Sequence, residues 1–203
     1  MNDHYFEERP TSRSRPGDVV LALPDRRFDL VTDHGVFARD AVDVGTRFLL
    51  LDAPRPDAAP ATALDLGCGY GPIACTLAHR YPDADVWAVD VNERARRLCA
   101  VNADRHELHN ITVAAPDEIT VTQHFDLIWS NPPIRIGKRA LHDLLVTWLD
   151  RLTPRGEAVI VVQKHLGSDS LQRWLGDQGW PTERVGSRHG YRLLRIRPRA
   201  APA

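Results

Sequence analysis

Residues 63–80 read ALDLGCGYGPIACTLAHR. A short apolar run, Ala63 to Leu66, ends in the alternating glycines Gly67, Gly69 and Gly71, and helical periodicity from Pro72 to Arg80 follows at once. Glycines let a backbone turn tightly and approach a ligand where a Cβ would clash. The helix that follows offers free N–H groups and the positive end of its dipole. The next strand candidate, Asp85 to Val89, ends at Asp90, about 20 residues on, where a carboxylate can accept two hydrogen bonds from ribose hydroxyls. A lone glycine loop is also compatible with a tight turn that binds nothing. Here strand, loop, helix and a second acidic strand end agree, which favours a nucleotide ligand held by Gly67, Cys68, Gly69, Gly71, Asp90 and the adjoining Val91.

Outward from this unit, strand and helix candidates alternate. Helices are predicted over Glu93 to Arg105, with Ala95, Leu98, Cys99 and Asn102 on one side, over Lys138 to Arg151, with Leu141, Leu144, Leu145, Trp148 and Leu152 on one face, and over Ser168 to Leu175. Strands are predicted over Ile111 to Ala114, Phe125 to Trp129 and Ala158 to Val162. Glu183 to Val185 and Tyr191 to Ile196 are two consecutive strands joined by a 187–190 turn, which implies one antiparallel partner. The pattern is that of an α/β, Rossmann-like, doubly wound sheet with its ligand beyond the carboxyl ends of the strands. Trp148 and Trp174 are expected in the core.

Before this unit, Asp52 to Pro60 (DAPRPDAAP) has three prolines and no apolar periodicity, as in a linker or exposed loop. It sets off an N-terminal extension, residues 1–56, from the main domain, residues 57–203. In the extension, Val19 to Leu23 and Phe28 to Val31 form a hairpin candidate around Pro24 to Arg27. Gly45 to Leu51 reads as a short helix with Phe48, Leu49 and Leu51 inward.

The chain has 203 residues, 43% apolar and 26% charged, with a formal net charge of −1. That fits one ordinary globular unit and excludes a uniformly basic nucleic-acid coat. No apolar run approaches the roughly 20 residues of a membrane span, and the polar stretch Met1 to Arg15 does not read as a signal peptide. Cys68, Cys75 and Cys99 make no disulfide framework, so a reducing cytoplasm is the expected compartment. Lys138 and Lys164 are the two lysines among 26 basic residues. The arginines at 184, 188, 192, 195, 197 and 199 form either an RNA contact or a solvated edge. His106 and His109 lack a carboxylate or thiolate at ligand spacing, so no metal is expected.

The second chemical motif is Ser130-Asn131-Pro132-Pro133-Ile134, directly after the strand at Phe125 to Trp129. The Asn131 side-chain carbonyl and the Pro132 backbone carbonyl are both acceptors, and an exocyclic NH2 has two hydrogens to donate. Pro132 and Pro133 stiffen the segment, so the acceptors are in place before a ligand arrives. Such a pair orients a planar amine toward an electrophile. Positive charge developing on nitrogen then faces carbonyl dipoles, with no strong base required.

These motifs resemble those of class I S-adenosylmethionine (AdoMet) methyltransferases, and Asn-Pro-Pro-Ile resembles the Asn-Pro-Pro-aromatic motif of members that methylate nitrogen on a planar group. Thr32-Asp33-His34-Gly35-Val36-Phe37, then Asp43-Val44-Gly45-Thr46, and SNPPIRIGK (130–138) are similar to the small-subunit (16S) ribosomal RNA guanine-N2 methyltransferases over about His4 to Ile196. The resemblance implies a seven-stranded sheet of order 3-2-1-4-5-7-6 with strand 7 antiparallel, and an extension that folds over the cofactor. It implies that Asp65 holds the amino acid end of AdoMet and that Asp90 holds the ribose. Asn131 borders the transferred methyl, and Thr32, Gly35, Val36, Phe37, Asp43 and Thr46 line the site. Ala115 or Pro116 stands where an acidic residue usually contacts adenine, so either Asp117 substitutes from a shifted loop or the backbone alone reads adenine. Ile134 stands where an aromatic is usual, so Phe37 or Tyr70 is expected to cover the target base. Arg135, Lys138 and Lys164 are candidate phosphate contacts. The implied partner is RNA, ribosomal RNA or the small subunit. Methylation of a protein glutamine amide, of small-molecule amines, and a non-catalytic AdoMet-binding ribosome-assembly role all remain open at this point.

Overall fold

The computed structural model describes residues 12–200. The start of the expected extension, residues 1–11, and residues 201–203 lie outside the described part.

Two strands open the described chain, β1 (Gly17–Ala22) and β2 (Arg27–Thr32), paired antiparallel across a turn closed by Leu23 N–H donating to Arg26 O at 2.9 Å. Helix α1 (Val44–Asp52) follows. The main sheet comprises β3 (Thr62–Leu66), β4 (Asp85–Val89), β5 (Ile111–Ala114), β6 (Phe125–Ser130), β7 (Leu152–Gln163), β8 (Thr182–Arg188) and β9 (Tyr191–Ile196). Its helices are α2 (Pro72–Arg80), α3 (Glu93–Arg105), α4 (Lys138–Leu149) and α5 (Ser168–Asp177). The strand order is β5-β4-β3-β6-β7-β9-β8, with β9 antiparallel to both neighbours. Counted from β3, this is the 3-2-1-4-5-7-6 order that the family resemblance implied.

Residue alternation explains the layering. Along β7, Val159 and Val161 face one apolar cluster, whereas Ala158, Ile160 and Val162 face the other. Both faces are covered, so the strand reads as a continuous apolar run. The first face carries α2, α3, α1 and the β1–β2 hairpin, whose Leu21, Phe28 and Leu30 are fully buried in the same cluster as Ile73 and Cys75. Each such side chain contributes about 1.5–3 kcal/mol of apolar transfer. The second face carries α4 and α5.

Several boundaries and burials differ from the sequence expectation. Leu152 begins β7 rather than ending the preceding helix, and it is buried there. Leu51 lies at the end of α1 and is 39% exposed, because α1 buries Thr46, Phe48, Leu49 and Leu50. Trp174 is half-buried and stacks on His142, with ring centroids 3.5 Å apart; the fully buried tryptophan nearby is Trp180. No helix among the described residues is long and apolar enough to cross a membrane.

The strand order reverses between β3 and β6, the topological switch where ligands bind in such sheets. Leu66 pairs with Val89 on one side and with Ser130 on the other. The glycine loop, Asp90 and Asn131 therefore leave the sheet side by side. Ser130 Oγ donates to Leu66 O at 2.6 Å and ties the two strand ends together.

Candidate active site

A cavity of about 510 Å3 opens above these strand ends, a size typical of small-molecule sites. Its lining brings together the expected Phe37, Thr46, Gly67, Cys68, Gly69, Tyr70, Asp90, Val91, Asn131, Pro132, Pro133, Ile134 and Arg135. Thr32, Asp65, Gly71, Asp117, Lys138 and Lys164 do not line it.

The glycine loop is folded by β4. Gly67 and Cys68 donate their N–H groups to Val89 O at 2.8 and 3.0 Å, and Gly69 N–H donates to Asp90 Oδ2 at 2.9 Å. Gly71 caps α2 at φ +92°, and a Cβ there would meet Cys99 Sγ at 2.7 Å. Its task is close helix packing rather than ligand contact.

Period-two alternation turns Asp65 away from Leu64 and Leu66 and under the N-terminus of α2. There Oδ2 accepts from Ala74 N–H at 2.8 Å, and Oδ1 is buried without a partner. Burial holds its carboxyl well above the ordinary carboxylate range, opposed by the Ala74 amide and reinforced by the charge of Asp90. Asp90 is also raised by burial, against the amides of Asn92 and Gly69. A buried acceptor left open costs about 1–3 kcal/mol, a cost that a cationic ligand above it would offset. The hydrogen bond with Cys99, then burial, pushes the Cys68 thiol up, which makes it an inert, small lining residue.

At the other end, the Asn131 amide is fixed by the extension. Its Nδ2 donates to Asp43 Oδ2 at 2.9 Å and to Thr46 Oγ1 at 3.0 Å. Both amide hydrogens are consumed, so the carbonyl oxygen is the group's open acceptor. Asp43 also caps α1, accepting from Thr46 N–H at 3.0 Å. The second expected acceptor differs from the reading of the motif: Pro132 O already accepts from Ile134 N–H at 2.8 Å, which leaves it one lone pair.

Phe37, 45% exposed, stands at the rim beside Val91 and Leu166. Tyr70 is buried, with its hydroxyl unpartnered and its pKa raised by burial and by Asp43. The 32–39 loop that carries Phe37 is bolted down. Thr32 Oγ1 donates to Arg39 O at 2.8 Å, which gives Thr32 a structural place below the cavity. Arg94 donates to His34 O at 2.6 Å, and Asn92 Nδ2 donates to Gly35 O at 2.9 Å. Asn92, an N-cap of α3, and Asn102 escaped the sequence reading as functional positions. Asn102 Nδ2 donates to both Val31 O and Tyr70 O, joining the hairpin to the glycine loop. An asparagine on an otherwise apolar helix face was the available signal.

Of the other candidates, Asp117 is exposed in the turn after β5 while its neighbour Pro116 lines the cavity. Lys138 and Lys164 are exposed outside the lining, at the starts of α4 and of the turn after β7. Five of the six C-terminal arginines pair with carboxylates of the same unit: Arg188 with Asp52, Arg192 with Asp169, Arg195 with Glu183, Arg197 with Glu157 and Arg199 with Asp150. That stripe is in large part an internal ion-pair edge.

The sequence profile described as "Methyltransferase small domain" matches residues 27–195, most of the chain and every residue that lines this cavity. The chain belongs to this family. Proteins similar to it include YbxB of Bacillus subtilis, described as uncharacterized, which is 33% identical over 97% of this chain and 99% of its own. The ribosomal RNA small subunit methyltransferase C of Aeromonas hydrophila is 35% identical over 73% of this chain, which spans only 41% of that longer relative. Among solved structures, the T. thermophilus 16S rRNA N2 G1207 methyltransferase, in complex with AdoMet and guanosine, superposes with a TM-score of 0.69 at 20% identity, over 91% of this chain and 51% of the other. That likeness is one of fold.

Proposed function

We propose that this methyltransferase transfers the methyl group of AdoMet to the exocyclic N2 of a guanine in small-subunit ribosomal RNA. The observation that carries the reading is the Asn131 amide, locked by Asp43 and Thr46 so that its carbonyl is the open acceptor in the cavity that the glycine loop shares. The residues present fit AdoMet. Asp65 keeps a buried, unpartnered oxygen beneath the glycine loop, and Asp90 stands at the strand end where ribose hydroxyls are read. In this reading Gly67, Cys68, Gly69 and Val91 cradle the cofactor, and Gly71 supports that loop. AdoMet supplies an electrophilic methyl on a sulfonium.

Asn131 Oδ1 accepts one hydrogen of the amine, and the remaining lone pair of Pro132 O accepts the other. The nitrogen lone pair is thereby aimed along the line of displacement. The carbon–sulfur bond breaks as the carbon–nitrogen bond forms. Positive charge arriving on nitrogen would meet fixed carbonyl dipoles, and the alkylated nitrogen, now acidic, would pass its proton to solvent water as the thioether product leaves. Phe37 and Ile134 cover the base, and Arg135 takes a neighbouring phosphate. A paired guanine has to be flipped out to reach this depth. Of the extension, residues 12–56 serve as the cover, and residues 57–200 form the catalytic unit.

The test is transfer of tritiated methyl from AdoMet into RNA from a strain lacking the gene, with the modified nucleoside identified by mass spectrometry. Label in N2-methylguanosine of small-subunit RNA is expected. Label in protein glutamine, or tight AdoMet binding with transfer to no RNA, overturns the proposal.

A further inference from the structure

Asp43 does more at the cavity than hold Asn131. Its Oδ2 is fully engaged by the Asn131 amide and by Thr46 N–H, whereas Oδ1 has no partner among the described residues, and the residue lines the cavity. Its position is tightly fixed. A Cβ added at Gly45 would lie 2.9 Å from Asp43 Oδ2 and 2.6 Å from the Tyr191 ring, so this carboxylate is wedged between a helix N-terminus, a glycine and an aromatic edge. The open acceptor of Asn131 thus shares the cavity lining with a second open acceptor, on the carboxylate that holds its amide. Two adjacent acceptors match an edge with two adjacent donors.

Of the nucleobase amines and the glutamine amide, only guanine's meets that requirement, on its N1 side. The guanine amine is flanked by N1–H, a donor. The amines of adenine and cytosine are flanked by a ring nitrogen lone pair, and the NH2 of a glutamine side chain is flanked by a carbonyl oxygen. Each of those would set a lone pair against the carboxylate with no hydrogen between them.

We infer that Asp43 is a specificity-determining residue whose free oxygen accepts the N1–H of the target base, so that the site admits an amine flanked by a donor and rejects one flanked by an acceptor. This rests on the N-methyltransferase reading above and adds to it the reason why the base is guanine.

The experiment uses the full chain, AdoMet and two short synthetic RNAs with the sequence around the mapped nucleotide, one carrying guanosine there and the other 2-aminopurine riboside. The second base keeps the C2 amine but has a bare N1 lone pair. Asp43→Asn retains an oxygen for Thr46 N–H and Asn131 and replaces the free oxygen with an NH2 donor. Wild-type protein is expected to prefer guanosine by about 100-fold or more in kcat/KM. In D43N that preference is expected to fall below about 10-fold or to invert, with AdoMet affinity, measured by calorimetry, within a few-fold of wild type. A purely structural role would slow both RNAs equally and leave the ratio unchanged, which overturns the inference. So does a wild-type enzyme that methylates both bases at similar rates, a result that needs no variant. Either outcome leaves the N-methyltransferase reading intact, whereas transfer to neither RNA and to no cellular RNA removes both.

Discussion

The two ends of the cavity are built by different means. Around Gly67 to Gly71 the backbone does the work: three loop amides are spent on Val89 O and Asp90, and one carboxylate oxygen, on Asp65, is left buried and open. Around Asn131 side chains do the work, drawn from α1, from its N-cap Asp43 and from the loop after β6. The first end is assembled within about 25 residues of chain. The second joins residues 85 and 88 positions apart. A binding end can rely on rigid backbone, while an end that must orient one small amine needs an amide turned the right way, and that takes partners from elsewhere in the chain.

The sharpest way to break this division is Asn131→Ala. AdoMet affinity, measured by calorimetry, should stay within a few-fold of wild type, while single-turnover methyl transfer to RNA should fall about 100-fold or more. Loss of both together would mean that the two ends are one.

How much of this was legible follows the same line. The α/β alternation and the glycine loop were readable because periodicity and the Asp65 to Gly71 motif are local signals, whereas the strand order came only with the family resemblance. The Asp43–Asn131 contact was not, since either residue taken alone reads as a cap or a turn. Trp174 and Trp180 differ by six positions and one of them is fully buried, which depends on how α5 docks rather than on its own periodicity. The C-terminal arginines looked available because their carboxylate partners, Asp52 and Asp169 among them, come from distant parts of the chain.

The next effects sharpen the target end. Phe37→Ala removes the exposed aromatic proposed to cover the base together with Ile134, and a loss of about 1–3 kcal/mol in RNA binding is expected. It should appear as a raised KM in steady-state kinetics with kcat little changed. Trimming Tyr70 instead would test which aromatic covers the base.

The cofactor end should respond with opposite signs in two assays. Asp65→Asn should weaken AdoMet binding. It should also stabilise the ligand-free protein at neutral pH, because an amide in place of the carboxyl carries no charge for burial and Asp90 to penalise. Asp65 has a folded-state pKa above its unfolded value, so the folded form binds the proton more tightly and wild-type stability falls as pH rises through that raised pKa. The advantage of D65N, followed by chemical denaturation, should therefore grow with pH and vanish toward pH 4. The smallest expected effect is at Arg135: alanine there should lower the slope of log affinity against log salt for RNA by about 0.7–0.9, with no change in AdoMet binding.

The most direct measurement is a crystal structure of the protein with S-adenosylhomocysteine and guanosine. The account expects the guanine N2 about 2.7–3.2 Å from Asn131 Oδ1, with the cofactor sulfur facing the same nitrogen from the glycine-loop side. A base amine bound away from Asn131, or a cofactor held anywhere other than between Asp65 and Asp90, would contradict it.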